Sequence, residues 1–595
     1  MRVCDLIAKF LEEHDVTDIF MVSGGGLMFL TDGLACNPNL NVTCCHHEQA
    51  VAMAAVGYSK YNKMACGYVT TGCGGTNAVT GVLNAWQDST PCIFVSGQVK
   101  LKETIRGRNL PIRQLGVQEA DIIKIIESIT KYSVMITDPK KTLYHLEKAF
   151  YLATTGRPGP VWIDVPMDIQ SAEVDETKLK HFDASELKEN NTKITDDELK
   201  SIINDLNNAK RPIIIAGQGI RLSNSIDKFD ELIHKHNIPF VCSRMGTDVL
   251  PTEDKLNIGR IGNKGMRSAN FAVQNADYVL SLGSRLSVSS TGQEYEYFVR
   301  DGKLTVVDID QDEHEKNTIK IDELIIADLN DVLNKLTLDE TLDFSNWAEI
   351  CYNWKEKYPV CLDEYYDDSE GINLYVFIEE LSKYLKDDCS IIGDAGSAVY
   401  VPPQGLKTKN KTQRYITSGA QAEMGFTLPA SVGVAIASKK DVYAITGDGS
   451  LQMNIQELQT LVHYKLPVKL FVWNNDGYLS IRATQNKFFN GRFIGTDKDS
   501  GVSFPDLEKI SEAYGIKYEK ISKINEFEQV MKRVNEYNEP VLIEVMCIPN
   551  QLIIPTVSSK KLDDGTLVSS PIEDMFPFLP REEFKENMIN KPLDL

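Results

Sequence analysis

The feature that most restricts the fold of this chain of 595 residues is an alternation of short apolar segments with helical segments. Two of them, Val442 to Thr446 and Lys469 to Trp473, stand on either side of a helical pattern that we expect to begin near Asn454. Parallel neighbouring strands need a crossover of a dozen or more residues, and the 24 residues between Gly449 and Asn474 supply one. The pattern predicts parallel sheets with helices on both faces.

The same alternation recurs in three blocks that polar, acidic stretches separate. The expected units are an N-terminal domain over 1–175, a central domain over 190–345, a C-terminal domain over 370–550 and a tail over 551–595. The aromatic residues of the tail predict that it folds onto the body, as a candidate lid. The residues leave open whether the first and third blocks share a fold.

The charge and cysteine content exclude several classes of protein. Asp and Glu outnumber Lys and Arg by 84 to 63, a formal net charge of −21, which argues against a nucleic-acid or membrane-surface partner. Twelve cysteines are far below the density of a disulfide scaffold, which favours reduced thiols and a cytoplasmic protein. No apolar run reaches the roughly 18 residues of a membrane-spanning helix.

Polar residues follow the two apolar segments at Val442 and Lys469. Asp448 and Asn475 would lie at the carboxyl ends of neighbouring strands, where open α/β sheets bind ligands. Carboxylate, amide and backbone oxygens suit Mg²⁺, and Gly447 and Gly449 let the backbone approach a phosphate. Each turn alone also fits an ordinary loop, but the pair at this spacing predicts a metal and phosphate site.

The run from Gly447-Asp448-Gly449 to Asn474-Asn475 resembles the thiamine diphosphate enzymes, and residues 447–458 are similar to the large catalytic subunit of acetolactate synthase. The resemblance covers about residues 1–550. It implies an α/β fold of three doubly wound parallel-sheet domains, which are the pyrimidine-binding, central and diphosphate-binding domains. It also implies that Asp448, Asn475 and the Gly477 carbonyl hold Mg²⁺. The cofactor contacts that it implies are Gly396, Ser397, Met424, Gly447, Asp448, Gly449, Ser450, Asn475 and Gly477.

Glu48 opens a helix of small and apolar residues and is the expected activating acid. Thiamine chemistry needs a sheltered carboxyl group beside the pyrimidine ring, and burial raises the pKa of such a group. Without the family, a Glu at a helix start equally fits a partner of the helix dipole. The resemblance assigns Glu48 the activating role, and it makes Met424, otherwise a plausible core residue, the wedge that bends the cofactor.

The substrate side departs from the synthase pattern. By resemblance, the Gly25 backbone and Gln118 approach the cofactor-bound intermediate. Val117 stands where the synthase has Phe, and Thr484 where it has Trp, so aromatic bulk is missing from the acceptor side. An apparent insertion brings basic residues that can bind phosphate or be ordinary surface charges. These residues are Arg106, Arg108 and Arg113.

The predicted function is a thiamine diphosphate- and Mg²⁺-dependent carboligase. It would decarboxylate pyruvate or a related 2-keto acid and transfer the acyl carbanion to a second carbonyl, with a keto-sugar nucleotide as a candidate acceptor beside pyruvate. The alternative is a non-oxidative 2-keto-acid decarboxylase that releases an aldehyde, with His46 or His47 as its acid. A non-catalytic regulatory paralogue is the third class, which the intact Glu48, Asp448 and Asn475 disfavour.

The resemblance leaves the cofactor set and the assembly incomplete. FAD stays open, since Asp308 and Asp310 at a predicted strand end could bind a ribose but many family members keep this domain without FAD. In the family the active site lies between two chains, so the expected partner is a second copy, in a homodimer or homotetramer.

Overall fold

Three parallel sheets of six strands each organise the chain. The coordinates are a computed structural model that describes residues 1–61, 64–187, 192–561 and 567–593. The first sheet has the order β2-β1-β3-β4-β6-β5. Its strands are β1 (Asp18–Met21), β2 (Asn41–Cys44), β3 (Ala65–Val69), β4 (Cys92–Gln98), β5 (Tyr132–Met135) and β6 (Val161–Pro166). Its helices are α1 (Val3–Glu13), α2 (Met28–Ala35), α3 (Glu48–Tyr61), α4 (Cys73–Gln87), α5 (Ile105–Arg108), α6 (Ile122–Ile126), α7 (Thr142–Thr154) and α8 (Met167–Gln170).

The second sheet has the order β12-β11-β10-β7-β8-β9, in which the chain moves outwards in both directions from a central pair. Its strands are β7 (Pro212–Ala216), β8 (Phe240–Cys242), β9 (Asn257–Arg260), β10 (Tyr278–Leu282), β11 (Lys303–Asp308) and β12 (Glu323–Ile326). Its helices are α9 (Asp196–Asn208), α10 (Gly219–Leu222), α11 (Ile226–His236), α12 (Arg267–Asn275), α13 (Val288–Thr291), α14 (Leu329–Lys335) and α15 (Ser345–Lys357).

The third sheet has the order β14-β13-β15-β16-β18-β17. Its strands are β13 (Ser390–Gly393), β14 (Arg414–Thr417), β15 (Val442–Gly447), β16 (Val468–Asn474), β17 (Lys517–Ile521) and β18 (Val541–Met546). Its helices are α16 (Leu374–Tyr384), α17 (Ser397–Gly405), α18 (Thr427–Ser438), α19 (Asp448–Leu451), α20 (Leu458–His463), α21 (Leu479–Phe489), α22 (Leu507–Tyr514) and α23 (Phe527–Glu536).

The first and third sheets share one topology, which answers the question that the sequence left open. In each, the strand that comes second in sequence lies at the edge, and the fifth lies at the opposite edge. The helix that follows the second strand is α3 in the first domain and α18 in the third. The expected α/β fold of three doubly wound parallel-sheet domains is therefore confirmed, with two domains of the same topology on either side of a different one.

Helices α3 and α18 pack directly on each other and join the first and third domains. A Cβ on Gly57 would lie 2.5 Å from the Ala430 carbonyl oxygen, and one on Gly433 would overlap the Ala54 carbonyl oxygen. The small residues of both helices therefore permit an approach that larger side chains would prevent. This contact sets how the two domains are placed against each other.

Replacing Gly433 with alanine is expected to destabilise this contact. The added methyl group overlaps backbone, which cannot move aside like a flexible side chain, and overpacking of this kind costs about 1–3 kcal/mol. We expect a fall in Tm of roughly 2–10 °C by calorimetry. Gly405→Ala is the matched control, because the nearest atom to its Cβ would lie at 3.4 Å. An unchanged Tm for Gly433→Ala would show that the helices separate easily.

The tail folds back onto the central domain. Its elements are β19 (Thr556–Val557), β20 (Ser559–Lys561), β21 (Leu567–Ser569), β22 (Met575–Phe576) and α24 (Arg581–Glu586). Arg267 donates to the Met575 and Pro577 carbonyl oxygens at 3.2 and 2.7 Å, and the buried Glu573 pairs with Arg300 at 2.8 Å. These contacts attach the tail to α12 and to the loop before β11.

The segment after Gly447 differs from the expected helix near Asn454. Helix α19 begins at Asp448, a 3-10 segment follows over Gln452–Glu457, and Asn454 has a non-helical φ of −138°. The side-chain amide of Asn454 donates to the Gln49 side chain and to the Gly425 carbonyl oxygen, at 3.0 and 2.9 Å. These long-range bonds break the helix, and local periodicity carries no sign of them.

The twelve cysteines are all free thiols, eight of them buried. Burial alone explains most of them, since an unpaired cysteine behaves as a small apolar residue. Within the four described ranges, no helix is both long and apolar enough to cross a membrane.

Candidate active site

Asp448 lies at the start of α19, directly after β15 and beside the end of β16. Its side chain is buried, and its Oδ2 accepts hydrogen bonds from the backbone N–H groups of Asn475 and Gly477, at 3.2 and 3.1 Å. The Gly449 N–H donates to Oδ1 at 2.7 Å. Burial raises the pKa of Asp448 to about 6, against these donors. The two strand ends thus meet around one carboxylate, as their order in sequence predicted.

Backbone geometry and Arg482 hold the loop after β16. Gly477 has a φ of +134°, and a Cβ there would overlap the Thr496 carbonyl oxygen, so only glycine fits. The buried Arg482 donates to the carbonyl oxygens of Asn475 and Asp476, at 2.7 and 2.6 Å. The Gly477 carbonyl oxygen accepts from the Leu479 N–H at 3.1 Å and keeps one lone pair. Arg482 is therefore a positioning residue for this loop.

Asp394 links the remaining predicted contacts of the third domain. It is fully buried after β13, and its Oδ2 accepts from the hydroxyl groups of Ser450 and Thr446, at 2.6 and 3.1 Å. Burial raises the pKa of Asp394. The Ser450 hydroxyl also accepts from the Gly425 N–H at 2.8 Å, which fixes the residue after Met424. The Ser450 hydroxyl hydrogen is thus donated to Asp394, so only the backbone N–H of Ser450 stays available to a phosphate.

The residues at this edge fit Mg²⁺ and a diphosphate. Among the described residues, no Lys, Arg or His nitrogen forms an ion pair with the Asp448 carboxylate, and Arg482 acts on it only from beyond 4 Å, where its charge lowers the pKa of Asp448. A Cβ on Gly447 would meet no atom of a described residue within 4 Å, and Gly396 has a φ of +57° immediately before α17 and Ser397. The donor set is hard and the backbone is open, as a metal-bound diphosphate requires.

Glu48 begins α3 at the carboxyl edge of the first sheet. Its side chain is only 8% exposed, and its Oε2 accepts from the Asn77 amide at 3.0 Å. The neighbouring Gln49 accepts from Asn454 of the third domain, whose amide also reaches the Gly425 carbonyl oxygen. A sheltered carboxyl group therefore stands at the junction of the first and third domains.

The two substrate-side residues lie at the same edge of the first sheet. Gly25 is exposed, and within the part of the chain that the structure describes a Cβ on it would meet no atom within 4 Å, so other molecules can approach its backbone. Gln118 has a φ of +62°, and its carbonyl oxygen packs so closely on Gly72 that a Cβ there would overlap it. The Asn77 and Gly74 that adjoin Glu48 are on α4, which begins just after Gly72. The predicted residues of the first domain thus share one edge.

Glu423, which the sequence reading did not single out, is a second acid beside Met424. Its carboxylate accepts from the Ser418 hydroxyl and, at 2.7 Å, from the Asn84 amide of the first domain. Burial raises the pKa of Glu423 to about 7, against these two donors and the nearby Lys60. Ala422 before it has a φ of +50°, a conformation that a non-glycine residue seldom adopts. The burial of Glu423 depends on the long-range packing of 418–425 on α4, so the sequence alone does not indicate it.

Replacing Glu423 with glutamine is expected to flatten the pH dependence of stability. An acid whose pKa is raised on folding binds a proton more tightly in the native state, so native stability falls as pH rises from about 4.5 to about 7. Glutamine has no such ionisation. We compare the unfolding free energy of the variant with that of the native protein at each pH. We expect this difference to shift in favour of the variant by on the order of 2 kcal/mol between pH 5 and pH 8. Parallel Tm curves for Glu423→Gln, native protein and the exposed control Glu253→Gln would contradict this.

The expected acceptor-side residues are all exposed. Val117 is 81% exposed, and Thr484 lies on the outer face of α21. Arg106 pairs with Asp121 at 2.7 Å. Arg108 and Arg113 make no ion pair with any described residue. The loop 101–119 that carries the arginines is tied by Glu119, which accepts from three backbone N–H groups.

The strand-end acids of the central domain do not fit a FAD ribose as they stand. Asp308 Oδ2 lies 3.2 Å from His314 Nε2, and its Oδ1 accepts from the Asp310 N–H at 3.1 Å. Asp310 pairs with Arg157 of the first domain at 2.9 Å. Gly217 and Gly283 pack on each other so closely that a Cβ on either would clash with backbone. Both acids that could bind a ribose therefore already have partners within the chain.

Family comparisons match all three domains. Residues 1–125 match the family described as thiamine pyrophosphate enzyme, N-terminal TPP binding domain. Residues 199–336 match its central domain, and residues 394–545 match its C-terminal TPP binding domain. The three matches follow the order of the three sheets.

Curated relatives align over nearly the whole chain. The acetolactate synthase large subunit of Lactococcus lactis is 33% identical over 564 residues, which cover 93% of each chain. A probable acetolactate synthase large subunit of Methanocaldococcus jannaschii is 31% identical over 567 residues, again 93% of each. That of Corynebacterium glutamicum is 30% identical over 565 residues, 93% of this chain and 88% of the relative. The chain belongs to the thiamine diphosphate enzymes and is an enzyme of the acetolactate synthase type.

Proposed function

We propose that this protein is a Mg²⁺-dependent carboligase that decarboxylates pyruvate, or a related 2-keto acid, and joins the remaining acyl unit to a second carbonyl compound. The observation that carries the proposal is the buried Asp448, which makes no ion pair with a described residue and accepts hydrogen bonds from the Asn475 and Gly477 backbone at the shared edge of β15 and β16. The relatives named as acetolactate synthases supply the reaction class.

Each predicted site residue has a distinct role in this proposal. Asp448, Asn475 and the Gly477 carbonyl would hold Mg²⁺, while Gly396 and Ser397 would contact the diphosphate. When bound, thiamine diphosphate supplies the electron sink that decarboxylation of a 2-keto acid needs. Glu48 would exchange a proton with the pyrimidine ring, and its shelter beside Asn77 supports that role. No step of the proposed reaction needs FAD.

For the acceptor, we propose a carbonyl compound larger than pyruvate, with a keto-sugar nucleotide as the class to test first. Two features support a larger acceptor. Val117 and Thr484 replace the aromatic residues of the synthase pattern, and both side chains are exposed. Arg108 and Arg113, which make no ion pair with a described residue, leave positive charge on the same loop as Gln118.

Simple decarboxylation to an aldehyde is the second candidate, and the contacts of the two histidines weigh against it. It needs an acid poised over the substrate. The His46 ring lies 3.2 Å from the Thr460 hydroxyl, and the His47 ring accepts the Gln49 N–H at 3.1 Å. Each imidazole thus already makes a polar contact within the chain, at the start of α3.

Product analysis tests the proposal. The protein is incubated with thiamine diphosphate, Mg²⁺ and ¹³C-labelled pyruvate, with and without UDP- or CDP-linked keto sugars, and the products are identified by mass spectrometry. We expect labelled two-carbon units joined to the sugar. Acetolactate alone would keep the carboligase and refute the larger acceptor. Free acetaldehyde with no joined product under any condition would refute the carboligase.

We also propose that the active site lies between two copies, with Glu48 from one and Asp448 from the other. The test is a mixed dimer of Glu48→Gln and Asp448→Asn chains, isolated through two different affinity tags. A shared site leaves one intact site in each mixed dimer, so about half of native activity is expected. A site within one chain leaves none, and an inactive mixed dimer would refute the arrangement.

A further inference from the structure

A cavity of about 280 Å³ lies where the central domain, α17 and the tail meet. Three cationic side chains, Arg244, Arg260 and Lys264, line it from the central domain, and Tyr400 lines it from α17. All three cations approach the Tyr400 ring, at 5.2, 6.0 and 5.3 Å from its centroid. The tail closes the cavity with Thr556 and Ser569.

These cations have no anionic partner within the described part of the chain. Arg260 is only 2% exposed, and its Nε and Nη1 make no hydrogen bond. Arg244 Nε is likewise unpartnered, while its Nη1 donates to the Gly419 carbonyl oxygen at 2.7 Å. Lys264 reaches only the Ile553 carbonyl oxygen, at 3.3 Å. No described carboxylate comes within 4 Å of any of them.

Such a cluster is costly without a counter-charge. Buried cations normally pair with acids, and the aromatic face of Tyr400 attracts them without neutralising them. Burial, with Arg260 and Lys487 close by, lowers the pKa of Lys264 to about 8. Burial likewise lowers the pKa of Arg260 to about 9. Three cationic side chains thus surround a cavity that a multiply charged anion can fill.

The cavity borders the candidate active site. Tyr400 is one helical turn after Ser397, on the helix that begins at the expected diphosphate contacts. Arg244 holds the Gly419 carbonyl oxygen, in the loop that ends at Met424. A ligand in the cavity would therefore lie against the two segments that place the cofactor.

We propose that this cavity binds a phosphate or diphosphate group of a small organic substrate, with Arg244, Arg260 and Lys264 as its ligands. Guanidinium groups bind phosphate oxygens in pairs, and an ammonium group adds a point charge. One carboxylate would balance only one of the three cations, whereas a phosphate monoester or a diphosphate group brings about two or more negative charges. These contacts alone support the binding of an organic phosphate. The assignment of that phosphate to the carbonyl acceptor rests on the proposed function.

The test is calorimetric titration of UDP into protein saturated with thiamine diphosphate and Mg²⁺, so that the cofactor's own diphosphate site is filled. Uridine, which lacks the phosphates, is the control ligand and should not bind. Lys264→Gln should weaken UDP binding about tenfold or more, because it removes a charged hydrogen-bond donor. The exposed Lys255→Gln, on the same segment, should leave binding unchanged. The amide of Lys264→Gln is neutral and keeps a hydrogen-bond donor, so this variant should fold even where Arg260→Gln does not.

Proton uptake gives a second signal. Near pH 8 part of the Lys264 population is neutral, so a bound diphosphate should draw a proton onto it. The heat of UDP binding should then vary with the ionisation enthalpy of the buffer, and this variation should become much smaller in Lys264→Gln, where Arg260 is the cavity cation that can still take up a proton. Buffer-dependent heat that persists unchanged in the variant would contradict the assignment of Lys264.

Three outcomes would overturn the proposal. One is no UDP binding at millimolar concentration, and another is equal affinity in native protein and Lys264→Gln. The third is displacement of UDP by FAD at a lower concentration than by any sugar nucleotide, which would make the cavity a dinucleotide site. None of these titrations contains pyruvate, so their failure leaves the carboligase proposal standing, and an inactive enzyme leaves the binding result standing.

Discussion

Replacing Glu48 with glutamine is expected to lower the rate of product formation from pyruvate by about 10²–10⁴-fold, the usual contribution of a positioned proton-transfer group. The side chain is buried at the start of α3 and accepts one hydrogen bond from Asn77. A glutamine oxygen can accept the same bond, so the variant keeps the shape and loses only the exchangeable proton. The fold and the affinity for thiamine diphosphate should therefore change little.

The controls for Glu48 separate chemistry from stability. Glu127→Gln, an exposed acid of the same domain, should keep full activity. The Tm of Glu48→Gln and its calorimetric affinity for thiamine diphosphate with Mg²⁺ should match those of the native protein. Activity within twofold of native would show that Glu48 is only a partner of the helix dipole, the alternative that the sequence also allowed.

Replacing Asp448 with asparagine is expected to weaken Mg²⁺-dependent binding of thiamine diphosphate by on the order of 10²-fold. Metal-ion stabilisation of charge is worth several kcal/mol, and each 1.4 kcal/mol is a factor of about ten. Asn475 and Gly477 both donate to the Asp448 Oδ2, so the loop also loses charge-assisted hydrogen bonds. Calorimetric titration of the cofactor at several Mg²⁺ concentrations measures the change.

Asp476→Asn is the matched control for Asp448. Asp476 is the exposed acid in the same loop, with a φ of +55° that asparagine also tolerates. It should bind the cofactor as native protein does, with the same dependence on Mg²⁺. Equal cofactor affinity for Asp448→Asn and Asp476→Asn would mean that the buried carboxylate only caps the loop, and the metal assignment would be wrong.

The parts of the site that are local in sequence could be predicted from it. The apolar runs before Asp448 and Asn475 form β15 and β16. These two strands pair in parallel because the chain between them is long enough for a crossover. Asp448 and Asn475 then meet by topology alone. The shared strand order of the first and third sheets needed the coordinates, since no repeat is visible in the residues.

The long-range parts of the site could not be predicted. The break at Asn454 depends on Gln49, about four hundred residues earlier. Glu423 becomes a buried acid only because Asn84 of another domain reaches it. Arg244, Lys264 and Tyr400 look like ordinary surface residues until the tail closes over them. Each of these depends on packing between elements that are distant in sequence, and hydrophobic period does not encode it.

Release of CO₂ from carboxyl-labelled pyruvate tests the central claim most directly. The protein is assayed with thiamine diphosphate and Mg²⁺ together, with each alone, and with 2-oxobutyrate and 2-oxoglutarate in place of pyruvate. We predict CO₂ release from at least one of these acids that needs both cofactors and falls with Glu48→Gln and Asp448→Asn. Release that is independent of the cofactors, or none from any acid by protein that holds thiamine diphosphate, would contradict the account.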